Sequence, residues 1–261
     1  MCLAVIALDA HPRFSLVLAA NRDEFHARAA VPAAWGDAPP FAGILAGRDL
    51  VAGGTWLGVR RDGRWAFVTN VREGGVRDMT RASRGEIVPR MLGADVDVHA
   101  TLAAVAADGE RYNGFNLVAG DADAAAWMSN RTAQHRDLDR GVHGLSNAFL
   151  DTPWPKVVRT RERVLAWCAG GSADLSPLFA ALADRTQAAD DALPDTGVTR
   201  EWERTLSSPF IVGERYGTRC STIFAIDRDG RARFVERRFA PDGTVSGEVD
   251  EAFAIVPGAR C

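Results

Sequence analysis

Two nearly unbroken apolar runs, residues 2–9 and 14–20, open the chain with only Ala10-His11-Pro12-Arg13 between them. Runs this short, separated by a turn-like Pro, predict two buried strands joined by a short connection. The second run ends in four consecutive polar residues, Asn21-Arg22-Asp23-Glu24. Further along, the segment from Trp56 through Phe67 predicts a hairpin turning at Asp62-Gly63 and closing at Asn70. Ser83 and Glu86 have capping-box spacing for a helix that contains Pro89. Residues 95–108 predict a second helix with Val98, Leu102 and Val105 along one side. Residues 113–121 and 124–130 read as a strand pair, and 142–149 as a strand ending at Asn147. Residues 153–169 form a helix with Val157, Val158, Val164, Leu165 and Cys168 at helical spacing, followed by one over roughly 174–185. Residues 30–44 and 186–215 read as irregular surface, and the end of the chain is again β-like. This order of strands, helices, strands, helices and strands predicts a layered α+β architecture, with sheets built from both ends of the chain. No repeat or composition shift divides it, so residues 1–261 read as one domain.

The totals exclude several functions. With 47% hydrophobic and 25% charged residues the chain can bury a core, and its net charge of −3 gives no general attraction to nucleic acid. No apolar stretch is long enough to span a bilayer, and the start of the chain lacks the basic and apolar regions of a signal peptide. The expected location is cytoplasmic. The four cysteines, Cys2, Cys168, Cys220 and Cys261, are too scattered for a disulfide framework. There is no paired Cys/His set for a metal and no phosphate-binding glycine loop, and Asp227–Gly230 reads as a β-turn. Lys156 is the only lysine among 31 lysine and arginine residues. Together with the many alanines this looks like the codon bias of a bacterial source, so no single arginine is singled out.

Cys2 is the candidate nucleophile. Removal of Met1 would leave a residue with both a thiol and a free α-amine, whose pKa near 8 suits proton transfer at neutral pH. One residue would then be nucleophile and base. A buried strand cysteine is the plainer reading. Acyl transfer also needs donors for the developing oxyanion, and asparagines stand at strand ends at Asn21, Asn70 and Asn147. Asparagine donates without adding charge, although it is also a common turn residue. Asp23 follows a strand expected to pair with the Cys2 strand, which would bring its carboxylate to the α-amine. Arg22 and Glu24 are candidate structural partners.

The motifs Met1-Cys2, LAANRDEF (18–25), GGTWLGV (53–59), Thr69-Asn70, YNGFNL (112–117), GLSNA (144–148) with TPWPK (152–156), and YGTR (216–219) run in order along the chain. Together they resemble the NRDE family, also described as the transport and Golgi organisation protein 2 family. The resemblance implies the four-layer αββα sandwich of the N-terminal-nucleophile hydrolases. It implies Cys2 as nucleophile, Asp23 as the acid of an Asn-x-Asp begun by Asn21, and Asn70 as oxyanion donor. It also implies Asn147 on the substrate side and Arg219 as a supporting cation, with Arg22, Glu24, Trp56 and Asn116 as binding or structural motif residues. Those enzymes place an arginine directly before the Asn-x-Asp, where this chain has Ala20. The family is further associated with haem trafficking and with lipid or acyl-CoA homeostasis.

Two readings follow. One is a cysteine hydrolase of a linear amide or thioester. The other is a non-enzymatic carrier of haem or an acyl-CoA-like lipid that uses the same cleft. Neither requires a cofactor, haem entering only as ligand or cargo, and nothing in the sequence sets an oligomeric state.

Overall fold

A computed structural model describes residues 1–74, 78–93, 97–132 and 135–256. Cys261 and the first residues of the helix predicted over 95–108 lie outside them. The first half of the chain runs β1 (Leu3–Leu8), β2 (Phe14–Phe25), β3 (Ala30–Trp35), β4 (Ile44–Asp49), β5 (Leu57–Arg60), β6 (Trp65–Asn70), α1 (Ile87–Gly93) and α2 (Val98–Ala107). It continues with β7 (Phe115–Gly120), β8 (Ala125–Ser129), β9 (His135–Asp137), β10 (Gly141–Leu145), α3 (Pro155–Gly170), α4 (Ser176–Leu182) and α5 (Arg200–Leu206). Three strands, β11 (Tyr216–Asp227), β12 (Arg231–Phe239) and β13 (Val245–Ala254), close it.

Six strands form one antiparallel sheet in the order β10-β1-β2-β11-β12-β13, and seven form the other in the order β3-β4-β5-β6-β7-β8-β9. The opening apolar runs are continuous because β1 and β2 are covered on both faces. Ala4, Ile6, Leu8, Leu16 and Leu18 point between the sheets toward Trp65, Phe67 and Val118. Leu3, Val5, Ala7, Val17 and Ala19 point outward to Val157 and Val164 of α3 and to Leu178 and Leu182 of α4. The outer face of the second sheet is covered by α1 and α2 through Ile87, Val88, Leu102 and Val105. The result is the expected αββα sandwich, with sheets drawn from both ends of the chain.

Several elements depart from the sequence reading. The polar run Asn21–Glu24 does not follow β2 but lies within it, paired to β11 with Ser221 opposite Asn21 and Thr218 opposite Asp23. Polar side chains are accepted in a buried strand when partners wait on both sides, and here they do. Residues 30–35 form the edge strand β3, where Pro32 removes a donor that an edge does not need. β4 carried no sequence expectation. Ser83 caps a short 3₁₀ turn by accepting from the Gly85 amide, not through a box with Glu86. Pro89 is tolerated in α1 because the Gly85 carbonyl its amide would have met is taken by the Thr55 amide at 3.0 Å. β10 ends at Leu145, so Asn147 sits in the following turn. α3 turns Leu165 to solvent and buries Lys156, Thr160 and Trp167. The stretch 186–215 holds α5 and buries Ser207, Phe210 and Ile211.

Candidate functional site

β1 and β2 fix the position of Cys2 through the backbone. Its amide donates to the Asn21 carbonyl at 3.1 Å, and its carbonyl accepts from Ser146 Oγ at 2.5 Å. Its sulfur lies 3.4 Å from the Asp23 carbonyl and 3.9 Å from Tyr216 Oη. Cys2 forms part of the wall of a cavity of about 330 Å³ shared with Asn70, Arg72, Asn147, Leu206 and Tyr216. On its other side a smaller cavity of about 90 Å³ is bordered by Met1, Arg22, Asp23, Trp56 and Asn70. The Met1 ammonium is held by the Val68 carbonyl at 2.9 Å, and the Met1 side chain packs in the intersheet core.

Asn70 ends β6, is exposed and borders both cavities, and its side-chain amide makes no hydrogen bond to the described residues. Asn147 comes from the turn after β10 in the opposite sheet. Its Nδ2 donates to the Asn70 carbonyl at 2.9 Å, and its own carbonyl accepts from the Arg72 amide at 2.7 Å. Asn116 is fully buried behind this clamp, donating to Thr69 Oγ1 at 3.0 Å and to the Ala148 carbonyl at 2.8 Å. Arg72 pairs with Glu203 of α5 at 2.7 Å and lies over the Trp154 ring, which brings the 186–215 region to the cavity wall.

Charge is concentrated behind Cys2. Asp23 is buried, its Oδ1 accepting from Thr218 Oγ1 at 2.7 Å while its Oδ2 has no partner. Burial raises its pKa above the usual carboxylate range, opposed by Lys156 and by the Thr218 hydrogen bond. Burial, and then the Asp23 carboxylate, raises the Cys2 thiol, while the Met1 ammonium and Lys156 pull it down. Burial lowers the Met1 ammonium. Lys156, at the start of α3, is pushed down to about 8 by burial, with Asp23 opposing. Burial holds the Tyr216 phenol well above its ordinary value.

The structure thus gathers Cys2, Asp23, Asn70 and Asn147. Arg219 is elsewhere: its guanidinium is held by the carbonyls of Phe25, His26 and Arg28, away from the Cys2 cavity. Asn21 faces the helices, its Nδ2 donating to the Leu182 and Pro209 carbonyls and its Oδ1 accepting from Ser221. Arg22 points between the sheets, stacked 4.4 Å over Trp56 and 3.8 Å from Asp49. Glu24 caps the Phe25 amide and lies 3.7 Å from Arg28. Ala20 faces the intersheet core. Sequence reasoning missed Tyr216 and Lys156 as site residues, although both stand inside quoted motifs. The signal for Lys156 was its being the sole lysine.

Comparison with known proteins bears on the family and the fold. The sequence profile described as Transport and Golgi organisation 2 matches residues 1–241. The Bos taurus Transport and Golgi organization protein 2 homolog is 36% identical over 261 residues, covering 91% of this chain and 92% of that protein. The Homo sapiens homolog is 35% identical over 259 residues, again 91% and 92%. Among solved structures, the Caenorhabditis elegans ortholog of N-acylethanolamine-hydrolyzing acid amidase superposes with a TM-score of 0.53 at 9% identity, covering 85% of this chain and 92% of that one. The C2A mutant of the conjugated bile acid hydrolase from Clostridium perfringens gives 0.50 at 10% identity, covering 98% and 92%. At such identities these likenesses report the fold, that of the N-terminal-nucleophile hydrolases.

Proposed function

Since the chain belongs to the Transport and Golgi organisation 2 family and has the N-terminal-nucleophile hydrolase fold, we propose that it is a cysteine hydrolase of a linear amide or thioester. The observation that carries this reading is the Cys2 sulfur on the wall of the 330 Å³ cavity beside Asn70, with Asp23 buried behind it. Removal of Met1 frees the Cys2 amine, which keeps its hydrogen bond to the Asn21 carbonyl. The amine takes the thiol proton as sulfur attacks the substrate carbonyl carbon. Asn70 donates to the resulting oxyanion, and Asn147 holds Asn70 in place. The ammonium then protonates the leaving amine or thiol as its bond to carbon breaks, and a thioester remains on Cys2. Water attacks this thioester, releasing the acid and restoring the thiol. Asp23 balances the ammonium. Arg219 contributes at most at a distance.

The test joins the intact mass of the purified protein, which reports whether Met1 is present, to a screen of amides and thioesters. Turnover by a chain lacking Met1, abolished in Cys2→Ala while the fold persists, is the expected result. Full turnover by Cys2→Ala refutes the reading.

Retention of Met1 would favour a second reading. With Met1 retained, its ammonium on the Val68 carbonyl and its side chain in the core, the Cys2 nitrogen is an amide and no proton shuttle forms. The cavity then serves to carry an acyl-CoA-like lipid or haem. Stoichiometric binding that survives Cys2→Ala supports carriage. Absence of both a haem Soret shift and stabilisation by acyl-CoA ends it.

A further inference from the structure

Lys156 is an anomaly on three counts. It is the only lysine among 31 lysine and arginine residues. It is 1% exposed, where lysine almost never sits unless paired. Its Nζ has no hydrogen-bond partner, and it forms no ion pair within 4 Å among the described residues. The first turn of α3, entered through Trp154 and Pro155, holds it next to Val157, which packs in one cluster with Leu3 and Val5 of the strand that follows Cys2. Asp23 Oδ2, on β2 beside the Cys2 strand, is also buried without a partner. Two stranded charges of opposite sign in one dry region make physical sense only as a set, because each alone would be driven to its neutral form. Cys2, whose sulfur touches the Asp23 backbone, is the third member.

The surrounding groups leave the balance to this set. Arg72 is neutralised by Glu203 of α5 at 2.7 Å. Tyr216 of β11 stays protonated because burial raises its phenol. The Met1 ammonium, with Arg22 and Arg84 near it, lies on the Val68 side. A guanidinium would need several acceptors at the Lys156 position, whereas an ammonium is compact and can lose its charge. We infer that Lys156 is a positioning residue for the nucleophile: its ammonium, kept inside the protein by Asp23, sets the charge balance under which the Cys2 thiol gives up its proton. A nearby cation favours thiolate over thiol, and burial strengthens the effect.

The inference rests on Cys2 being the nucleophile of the proposed hydrolase, but thiol reactivity needs no substrate, so the two can fail separately. Alkylation of Cys2 by iodoacetamide, followed by peptide mass across pH 6–10.5, reads the thiol directly. Lys156→Met is expected to slow alkylation roughly tenfold below about pH 8, where Lys156 carries its charge, and to leave the rate near pH 10 close to wild type, with Lys156→Arg keeping the faster reaction to higher pH. A folded Lys156→Met protein that alkylates at the wild-type rate below pH 8 overturns the inference, whatever turnover shows. Should that variant fail to fold, the native chain labelled with ¹³C-lysine gives a single ε-CH₂ resonance. Its pH titration is expected to differ between wild type and Cys2→Ala. Identical curves overturn the coupling.

Discussion

The side-chain amide of Asn147 donates to the main-chain carbonyl of Asn70 at 2.9 Å, and the Arg72 amide answers by donating to the Asn147 carbonyl at 2.7 Å. The pair joins the two sheets. Asn70 ends a strand of the seven-stranded sheet, and Asn147 follows a strand that pairs directly with the Cys2 strand. The distance between the sulfur and the open Asn70 amide is therefore set by this clamp.

If Asn70 is the oxyanion donor, Asn70→Ala should cost the most, about 10²–10³ in kcat, because a preorganised donor is lost where charge develops. Asn147→Ala should cost less, about tenfold, since Asn70 remains but its strand end loosens. The check is kcat measured for both variants on any substrate the wild type turns over. Equal losses, or a larger one at Asn147, would show Asn147 itself meeting the substrate.

Asn21 separates structure from chemistry within one motif. Its side chain satisfies two carbonyls and one hydroxyl, and it is fully buried. Asn21→Ala strands these partners, so denaturant unfolding should report a loss of about 2–4 kcal/mol. The pH midpoint of Cys2 alkylation should stay within the error of the wild-type value, because Asn21 contributes no charge.

The layers were legible in the sequence because β1 and β2 are apolar on both faces, which only a covered sheet requires, and because the helices carry their own periodicity. β3 was not, since an edge strand with Pro32 and a polar side looks like a loop until its neighbour is known. The asparagines and Asp23 could be named from their places at or beyond strand ends. The pairing that buries Asn21 to Asp23 inside β2 depends on β11, some two hundred residues away, and no local pattern encodes it. Leu165 shows the limit of helical spacing, which finds a stripe but not which edge of it faces the sheet. Lys156 was visible as a composition outlier, but its burial is a tertiary fact.

His143 provides a pH test remote from Cys2. Its Nδ1 lies 2.9 Å from Asp151 Oδ2, and this hydrogen bond raises the His143 pKa. Asp151 is held below its ordinary value: hydrogen bonds from His143 and the Gly144 amide, with nearby positive charge, outweigh burial, its largest single influence. A raised histidine stabilises the fold fully below its unfolded pKa, and that contribution fades as pH rises through the folded value. A depressed aspartate contributes above its unfolded pKa and fades as pH falls through the folded value. The pair therefore acts in the window from about pH 4 to about 6.5. His143→Asn should lower stability there by about 1 kcal/mol, with a smaller difference at pH 8.5, read as thermal midpoints at the two pH values.

Lys156 should leave a mark on stability opposite to that of an ordinary ion pair. Its folded pKa of about 8 lies below the ordinary lysine value of 10.5. Between those values the unfolded chain binds more protons than the folded one, so this residue makes stability rise with pH across that window. Below pH 8 the ammonium is buried at a cost of up to about 3 kcal/mol relative to its neutral form. Asp23 acts in the opposite sense and lower on the scale. Its raised pKa means that the folded state holds a proton the unfolded chain has released, so its contribution falls as pH rises from about 4. Lys156→Met removes the upper rise and raises the Asp23 pKa further by removing its cation. The stability of this variant minus that of wild type should therefore be most favourable near pH 5, where the wild type still buries its ammonium. It should fall steadily above pH 8, as the wild type sheds the cost of that charge. Denaturant midpoints at pH 5, 8 and 10.5 for both proteins measure the difference directly. A flat difference across the three would mean that Lys156 is neutral throughout, and that Asp23 sits in the core without a counter-charge.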